Sequence, residues 1–127
     1  MGQSLRILLA EDEPLIVNDI DELLAEFRFG RAAVIAFELE HALDAEAGGF
    51  DLAVLDVDLK GKAVWPVAEK LRAKGVPFLL LTGSSLNDLP ELASVPVVQK
   101  PFAIAALIAA LRQARELASN GLDGKRA

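Results

Sequence analysis

The sequence predicts an α/β chain: a doubly wound, five-stranded parallel sheet with helices on both faces. Short apolar runs alternate with longer segments of helical period, the rhythm of βα units. The run Leu52 to Leu55 is apolar at every position, as suits a central strand covered on both sides. At 127 residues, 53% hydrophobic and 25% charged, the chain matches one domain that buries roughly two thirds of its unfolded surface without disulfides or a structural metal.

Taken in order, strand one is Leu5 to Ala10. Pro14 then stands where a first helical turn favours it, and Ile16, Ile20, Leu23, Leu24 and Phe27 form a helical stripe. Strand two is Ala33 to Phe37; the second helix follows with Leu39, Ala42, Leu43 and Ala47 inward, and Gly48-Gly49 ends it. After strand three at Leu52 to Leu55, a third helix starts near Trp65 and Pro66, turns Val67, Ala68 and Leu71 inward, and stops at Gly75. Phe78 to Leu81 is strand four. Ser84 to Leu92 is a short helix at best, because Pro90 interrupts it although Ser85 and Asp88 have capping-box spacing. Val95 to Val98 is strand five, and the alanine-rich run Ala103 to Ala118 is the last helix, with Ile104, Leu107, Leu111 and Leu117 inward. Residues 1–119 therefore form the domain, and 120–127, with two glycines and few apolar residues, form a frayed tail.

Composition removes several function classes. Without cysteine there is no disulfide framework, thiolate zinc site or thiol nucleophile. The single histidine, His41, excludes multi-histidine metal centres; it lies among acids on a helix and is expected to be solvated. A net charge of -6 repels phosphate backbones and anionic lipid, so neither nucleic acid nor membrane is an expected direct partner. No apolar run approaches the ~20 residues that span a bilayer, and with no signal-like start the expected location is the cytoplasm.

In an open parallel sheet, ligands sit beyond the carboxyl ends of the strands. Glu11 and Asp12 follow strand one, Asp56 closes strand three with Asp58 two residues on, Thr82 closes strand four, and Lys100 follows strand five. With strands one and three as neighbours, Glu11, Asp12 and Asp56 converge. Three ionised carboxylates cannot share a small volume without a cation, and an all-oxygen donor set suits Mg²⁺, or Mn²⁺. Beside such an ion, a lysine and a hydroxyl complete the equipment for phosphoryl transfer, and Asp56 is the acid best placed to attack phosphorus.

ILLAEDEP, DLAVLDVDL, LLLTGSS and VVQKPF, in that order and each at a strand end, resemble the motifs of the response regulator receiver domains of two-component systems. The resemblance covers essentially the whole ordered chain. It implies a flavodoxin-like sheet of strand order 2-1-3-4-5, with Asp56 as phosphoacceptor and Glu11 and Asp12 as the Mg²⁺ pair. The Asp58 backbone carbonyl would be a further metal ligand, and Thr82 and Lys100 would hold phosphoryl oxygens. It also implies a cis Lys100-Pro101 bond, a histidine kinase or histidine phosphotransfer protein as donor, and a downstream protein target. A phosphorylation-dependent homodimer is compatible with it, and no catalysis is implied beyond self-phosphorylation from a donor and autodephosphorylation.

The chain departs from the family pattern at two places. Val97 stands at the usual aromatic switch position, and Leu59-Lys60-Gly61-Lys62 replaces the usual Pro-Gly turn. That loop, with Trp65-Pro66-Val67-Ala68 and the Leu89 to Leu92 stretch, looks similar to a subgroup of single-domain bacterial receivers. Two other readings are set against this one. A haloacid-dehalogenase-like phosphatase would share the Asp56-Val57-Asp58 pattern, but it begins with that strand, whereas here the acidic pair comes first and Leu59 follows Asp58. A degenerate receiver that only docks would not need the complete set of site residues. Trp65 is read as a packing anchor, and Lys60 with Lys62 as a charged rim.

Overall fold

The computed structural model describes residues 5–83 and 95–126. Five strands, β1 (Ile7–Ala10), β2 (Ala32–Ala36), β3 (Leu52–Asp56), β4 (Phe78–Thr82) and β5 (Val97–Gln99), pair in parallel in the order β2-β1-β3-β4-β5. The four helices among the described residues are α1 (Pro14–Glu26), α2 (Leu39–Glu46), α3 (Trp65–Ala73) and α4 (Ile104–Arg126).

The pleat sorts each strand's residues between two cores. Ile7, Leu9, Leu52, Val54, Leu79, Leu81 and Val98 pack against Val17, Ile20 and Leu24 of α1 and Leu107, Leu111 and Ala114 of α4. The alternate positions Leu8, Ala10, Ala53, Leu55, Phe78 and Leu80 pack against Ala42 of α2 and Val67, Ala68 and Leu71 of α3. Coverage on both faces explains why β1, β3 and β4 are buried at every position and read as unbroken apolar runs.

Some boundaries and inward positions differ from the sequence reading. Phe27 is 37% exposed as the residue that ends α1, and Phe29 is buried in its place. Arg28 takes a left-handed φ of 63°, which lets the Phe29 N–H reach the Leu24 carbonyl at 2.9 Å and folds the ring back onto the core. Ile104 opens α4 on its exposed side rather than facing inward. The last strand starts at Val97, not Val95; Pro96 has no N–H to donate and joins the sheet through its carbonyl, which accepts from Leu80 N at 3.0 Å. Helix α4 continues to Arg126, past the expected tail boundary at 120, since a glycine weakens a helix by about 1 kcal/mol without ending it. The short helix expected at Ser84 to Leu92 lies outside the described residues.

One small element was not foreseen. Between β3 and α3 the chain makes an antiparallel ribbon, Asp58–Leu59 against Lys62–Ala63. Its two turn residues both have positive φ, Lys60 at 52° and Gly61 at 86°, the geometry of a tight primed hairpin turn. The ribbon is pinned by Leu59, whose side chain is fully buried in the core beneath α2 and α3. Leu59→Ala is therefore expected to cost about 2–5 kcal/mol in urea unfolding, as a core leucine does, despite its place in a connection. Leu15→Ala, on an 82% exposed side chain, should stay within about 0.5 kcal/mol; equal effects would contradict the burial difference.

Candidate functional site

Strand register brings the site together. Ala10 pairs with Leu55 and with Ala36, Asp56 pairs with Leu81, and Thr82 pairs with Gln99. The ladder runs slightly further at this edge: Glu11 N donates to Ala36 O at 3.0 Å, Val57 N to Leu81 O at 2.9 Å, and Lys100 N to Thr82 O at 2.6 Å. Glu11, Asp56, Thr82 and Lys100 are thus held at one carboxyl edge by continuous backbone pairing, which fixes their origins more tightly than a free loop would.

Carboxylate oxygens of Glu11, Asp12 and Asp56 lie within 4.8 Å of one another. Glu11 and Asp56 are buried, and Asp12 is partly exposed at the mouth. The Lys100 ammonium reaches between them, 2.7 Å from Glu11 Oε1 and 3.1 Å from Asp56 Oδ2. The Lys100-Pro101 peptide is cis, as the sequence resemblance implied. Glu11 Oε2 accepts from the Glu13 N–H at 3.0 Å, and Asp56 Oδ1 accepts from the Asp58 N–H at 3.2 Å.

Three carboxylates face one ammonium, so the fully ionised pocket carries two uncompensated negative charges. The proton affinities register the imbalance. Burial pushes the Glu11 carboxyl up from 4.5 to about 7, and the nearby Asp56 charge adds to this, although Lys100 and the Glu13 N–H pull the other way. Burial likewise raises Asp56, against the hydrogen bond from Lys100. On Lys100 burial works against the charge, but its bonds to Glu11 and Asp56 outweigh burial and hold the ammonium above the ordinary lysine range. An all-oxygen cluster with a charge deficit of two fits a hard divalent cation by donor type and by charge.

The residues singled out in the sequence fall as follows. Glu11, Asp12, Asp56 and Lys100 meet directly, and Thr82 is buried at the end of the neighbouring strand. The exposed Asp58 side chain caps the ribbon, its Oδ1 accepting from Gly61 N at 2.7 Å. Val97 is half-buried on the α2/α3 face, His41 is exposed, and Trp65 packs against the core. Sequence reasoning missed that the Lys60 backbone N–H donates to Asp12 Oδ2 at 2.8 Å. It also missed that Lys60 and Lys62 form ion pairs with Glu38 and Glu40, at 3.1 and 2.6 Å. The residue-Gly pair at 60–61 between potential strand residues was the available signal for this turn.

No family model matches the chain. Among solved structures it is similar to SdrG from Sphingomonas melonis Fr1, with 35% identity and a TM-score of 0.75 over 89% of this chain and 98% of that one. It is also similar to a CheY-like response regulator receiver domain from Methylobacillus flagellatus, with 26% identity and a TM-score of 0.71 over 87% of this chain and 98% of that one. Among curated proteins it is 37% identical to the transcriptional activator protein IrlR of Burkholderia pseudomallei, over 88% of this chain and 53% of IrlR. The chain spans about half the length of the curated relatives it matches.

The raised Glu11 affinity fixes the sign of a pH effect. The folded state keeps a proton to about pH 7 that the unfolded chain releases near 4.5, so protons favour folding and stability falls as pH rises through that window. Asp56, raised as well, contributes with the same sign. In EDTA the wild type is expected to lose roughly 1–3 kcal/mol between these limits through Glu11, and Glu11→Gln should flatten the decline. Urea unfolding of both proteins at several pH values checks this; a wild type that gains stability relative to Glu11→Gln across the window would contradict the buried pocket.

Proposed function

The chain belongs to the receiver domains of response regulators, and from that premise we propose that it is a phosphorylation-controlled switch whose phosphoacceptor is Asp56. The observation that carries this reading is the Lys100 ammonium 3.1 Å from Asp56 Oδ2 and 2.7 Å from Glu11 at the carboxyl edge of the sheet. Asp56 holds a carboxylate oxygen for attack on phosphorus, beside a fixed cation and a buried hydroxyl.

In the reaction, an Asp56 carboxylate oxygen forms a bond to the phosphorus of a phosphohistidine or small phosphodonor. The bond from phosphorus to the donor breaks, and the donor leaves with the electron pair and takes up a proton. Lys100 neutralises charge on the equatorial oxygens, and Thr82 donates a hydrogen bond to them through its hydroxyl. Attack of water on the resulting acyl phosphate returns inorganic phosphate and the free carboxylate, so the only chemistry is on the protein itself. Glu11, Asp12, Asp56 and the Asp58 carbonyl would hold Mg²⁺, or Mn²⁺ in its place. When bound, the ion supplies charge neutralisation for the carboxylates and for a phosphoryl oxygen.

The partners consistent with this chemistry are a histidine kinase or histidine phosphotransfer protein upstream and a protein target downstream. A cytoplasmic location is what we infer from the proposed exchange of phosphoryl groups with a histidine kinase; no described helix is long and apolar enough to cross a membrane. The excess of acidic residues supports protein rather than nucleic-acid contacts.

Intact mass measurement tests the assignment. Incubation with a small phosphodonor and Mg²⁺ should add one phosphoryl group, EDTA should suppress it, and Asp56→Asn should abolish it. Modification of the variant at the wild-type level would move the acceptor to another acid.

A further inference from the structure

Asp12 is the most exposed member of the acidic cluster, at the mouth of the pocket on the connection after β1. A carboxylate so placed contributes less to binding a cation unless its rotamer is held, because fixing a free side chain must then be done at the expense of binding. The structure supplies a holder from a segment far away in sequence. The Lys60 N–H, first residue of the tight turn in the ribbon, donates to Asp12 Oδ2 at 2.8 Å. A proline at this position would have no N–H to give.

The turn is itself anchored at several points. Leu59, the residue before it, is fully buried in the core. Asp58 Oδ1 accepts from Gly61 N at 2.7 Å across the turn. Val64 N donates to Val57 O at 2.9 Å, closing the base of the ribbon. Lys60 and Lys62 reach across to Glu38, just before α2, and Glu40, in its first turn, but these pairs are more than half exposed and contribute little by themselves. The chain of restraint therefore runs from the buried Leu59 to the adjoining Lys60 N–H, whose direction the left-handed turn at Lys60 and Gly61 fixes from the other side, and so to one oxygen of Asp12. A carboxylate has several lone pairs, so a bond to Oδ2 leaves Oδ1 available.

Resting on the reading of the acidic cluster as a divalent-cation site, we propose that the Lys60-Gly61 turn is a positioning element for that site, orienting Asp12 toward Glu11 and Asp56 through the Lys60 backbone N–H. The requirement is on backbone conformation rather than on the lysine charge. Gly61, at φ 86° with open space around it, carries the requirement: an added side chain meets no neighbour but strains the turn.

Two measurements on the full chain test this, neither using phosphorylation. In EDTA, Asp12→Ala should speed hydrogen exchange of the residue 60 amide by about tenfold, since the bond that protects it is lost; unchanged exchange overturns the contact. Mg²⁺ titration, followed by calorimetry and by Trp65 fluorescence, should then show Gly61→Val weakening binding by about tenfold, the loss typical when a group orienting a metal ligand is disturbed. Lys60→Asn, which tolerates the left-handed conformation and keeps the N–H, should stay within about twofold. Should Gly61→Val not fold, Gly61→Ala applies the same strain with a smaller side chain and should weaken binding in the same direction. A folded Gly61 variant with wild-type affinity, or Lys60→Asn weakened as much as Gly61→Val, overturns the proposal. A wild type that binds no Mg²⁺ overturns the cation reading and the role of the turn with it, while the exchange measurement judges the Asp12 contact separately.

Discussion

Everything at the carboxyl edge of this sheet is governed by the crowding of three carboxylates around one ammonium. Glu11 and Asp56 have almost no access to water, and the Lys100 ammonium lies between them at hydrogen-bond distance. Burial of a charge costs several kcal/mol unless a partner compensates, and one lysine cannot compensate three acids. The fold absorbs the remainder by raising proton affinity at Glu11 and Asp56. A pocket in that condition is poised to exchange a proton for a metal ion or to recruit a charge-bearing group that redistributes the lysine. The strain is electrostatic, and the rest of the domain serves to keep it from relaxing.

Resistance to relaxation comes from the parallel topology. β3 lies at the centre of the sheet with β1 and β4 as neighbours: Asp56 itself pairs with Leu81, and Leu55 just before it pairs with Ala10, so the acid is anchored directly from one side and through its neighbour from the other. The two cores press on the sheet from opposite faces, α1 and α4 on one and α2 and α3 on the other. Glu11 is restrained in the same way by its N–H bond to Ala36, one residue past the end of β1. Functional groups that would repel each other in solution are held within reach because each begins where a buried strand ends.

That arrangement also explains what could be read from the sequence. A buried parallel strand must be apolar throughout, so the first polar residue after each run marks the strand's end, and Glu11, Asp56 and Thr82 were legible for that reason, while Lys100 lies one residue beyond the first polar residue after its run, Gln99. The sheet order and the lysine beside the acidic cluster followed from the same pattern together with the family resemblance. What escaped was backbone chemistry. Nothing in the identity of Lys60 announces that its N–H will bond to Asp12, because every residue but proline carries that donor. Phe29 was overlooked for a related reason: its burial depends on Arg28 adopting a left-handed conformation, which side-chain periodicity does not encode. The late start of β5 reflects Pro96, a residue that terminates pairing on one side while leaving its carbonyl to pair on the other.

The edge strand is where the site and the helical layer meet. β5 has three residues and, among the described residues, pairs on one side only, with β4, yet it carries Val98 into the core shared with α4 and ends beside Lys100. Lys100 N is tied to the Thr82 carbonyl, so the lysine and the hydroxyl residue are linked through the backbone as well as by position. A phosphoryl group on Asp56 would draw the ammonium away from Glu11, because charge-assisted bonds to phosphoryl oxygens compete directly with the bond to a carboxylate. On the proposed reading, the load of that redistribution would fall on β5, whose Val98 shares a core with Leu107 and Leu111 of α4. With valine at position 97, no aromatic ring is present there to rotate, so on the proposed reading the contact of β5 with α4 would take up part of that redistribution.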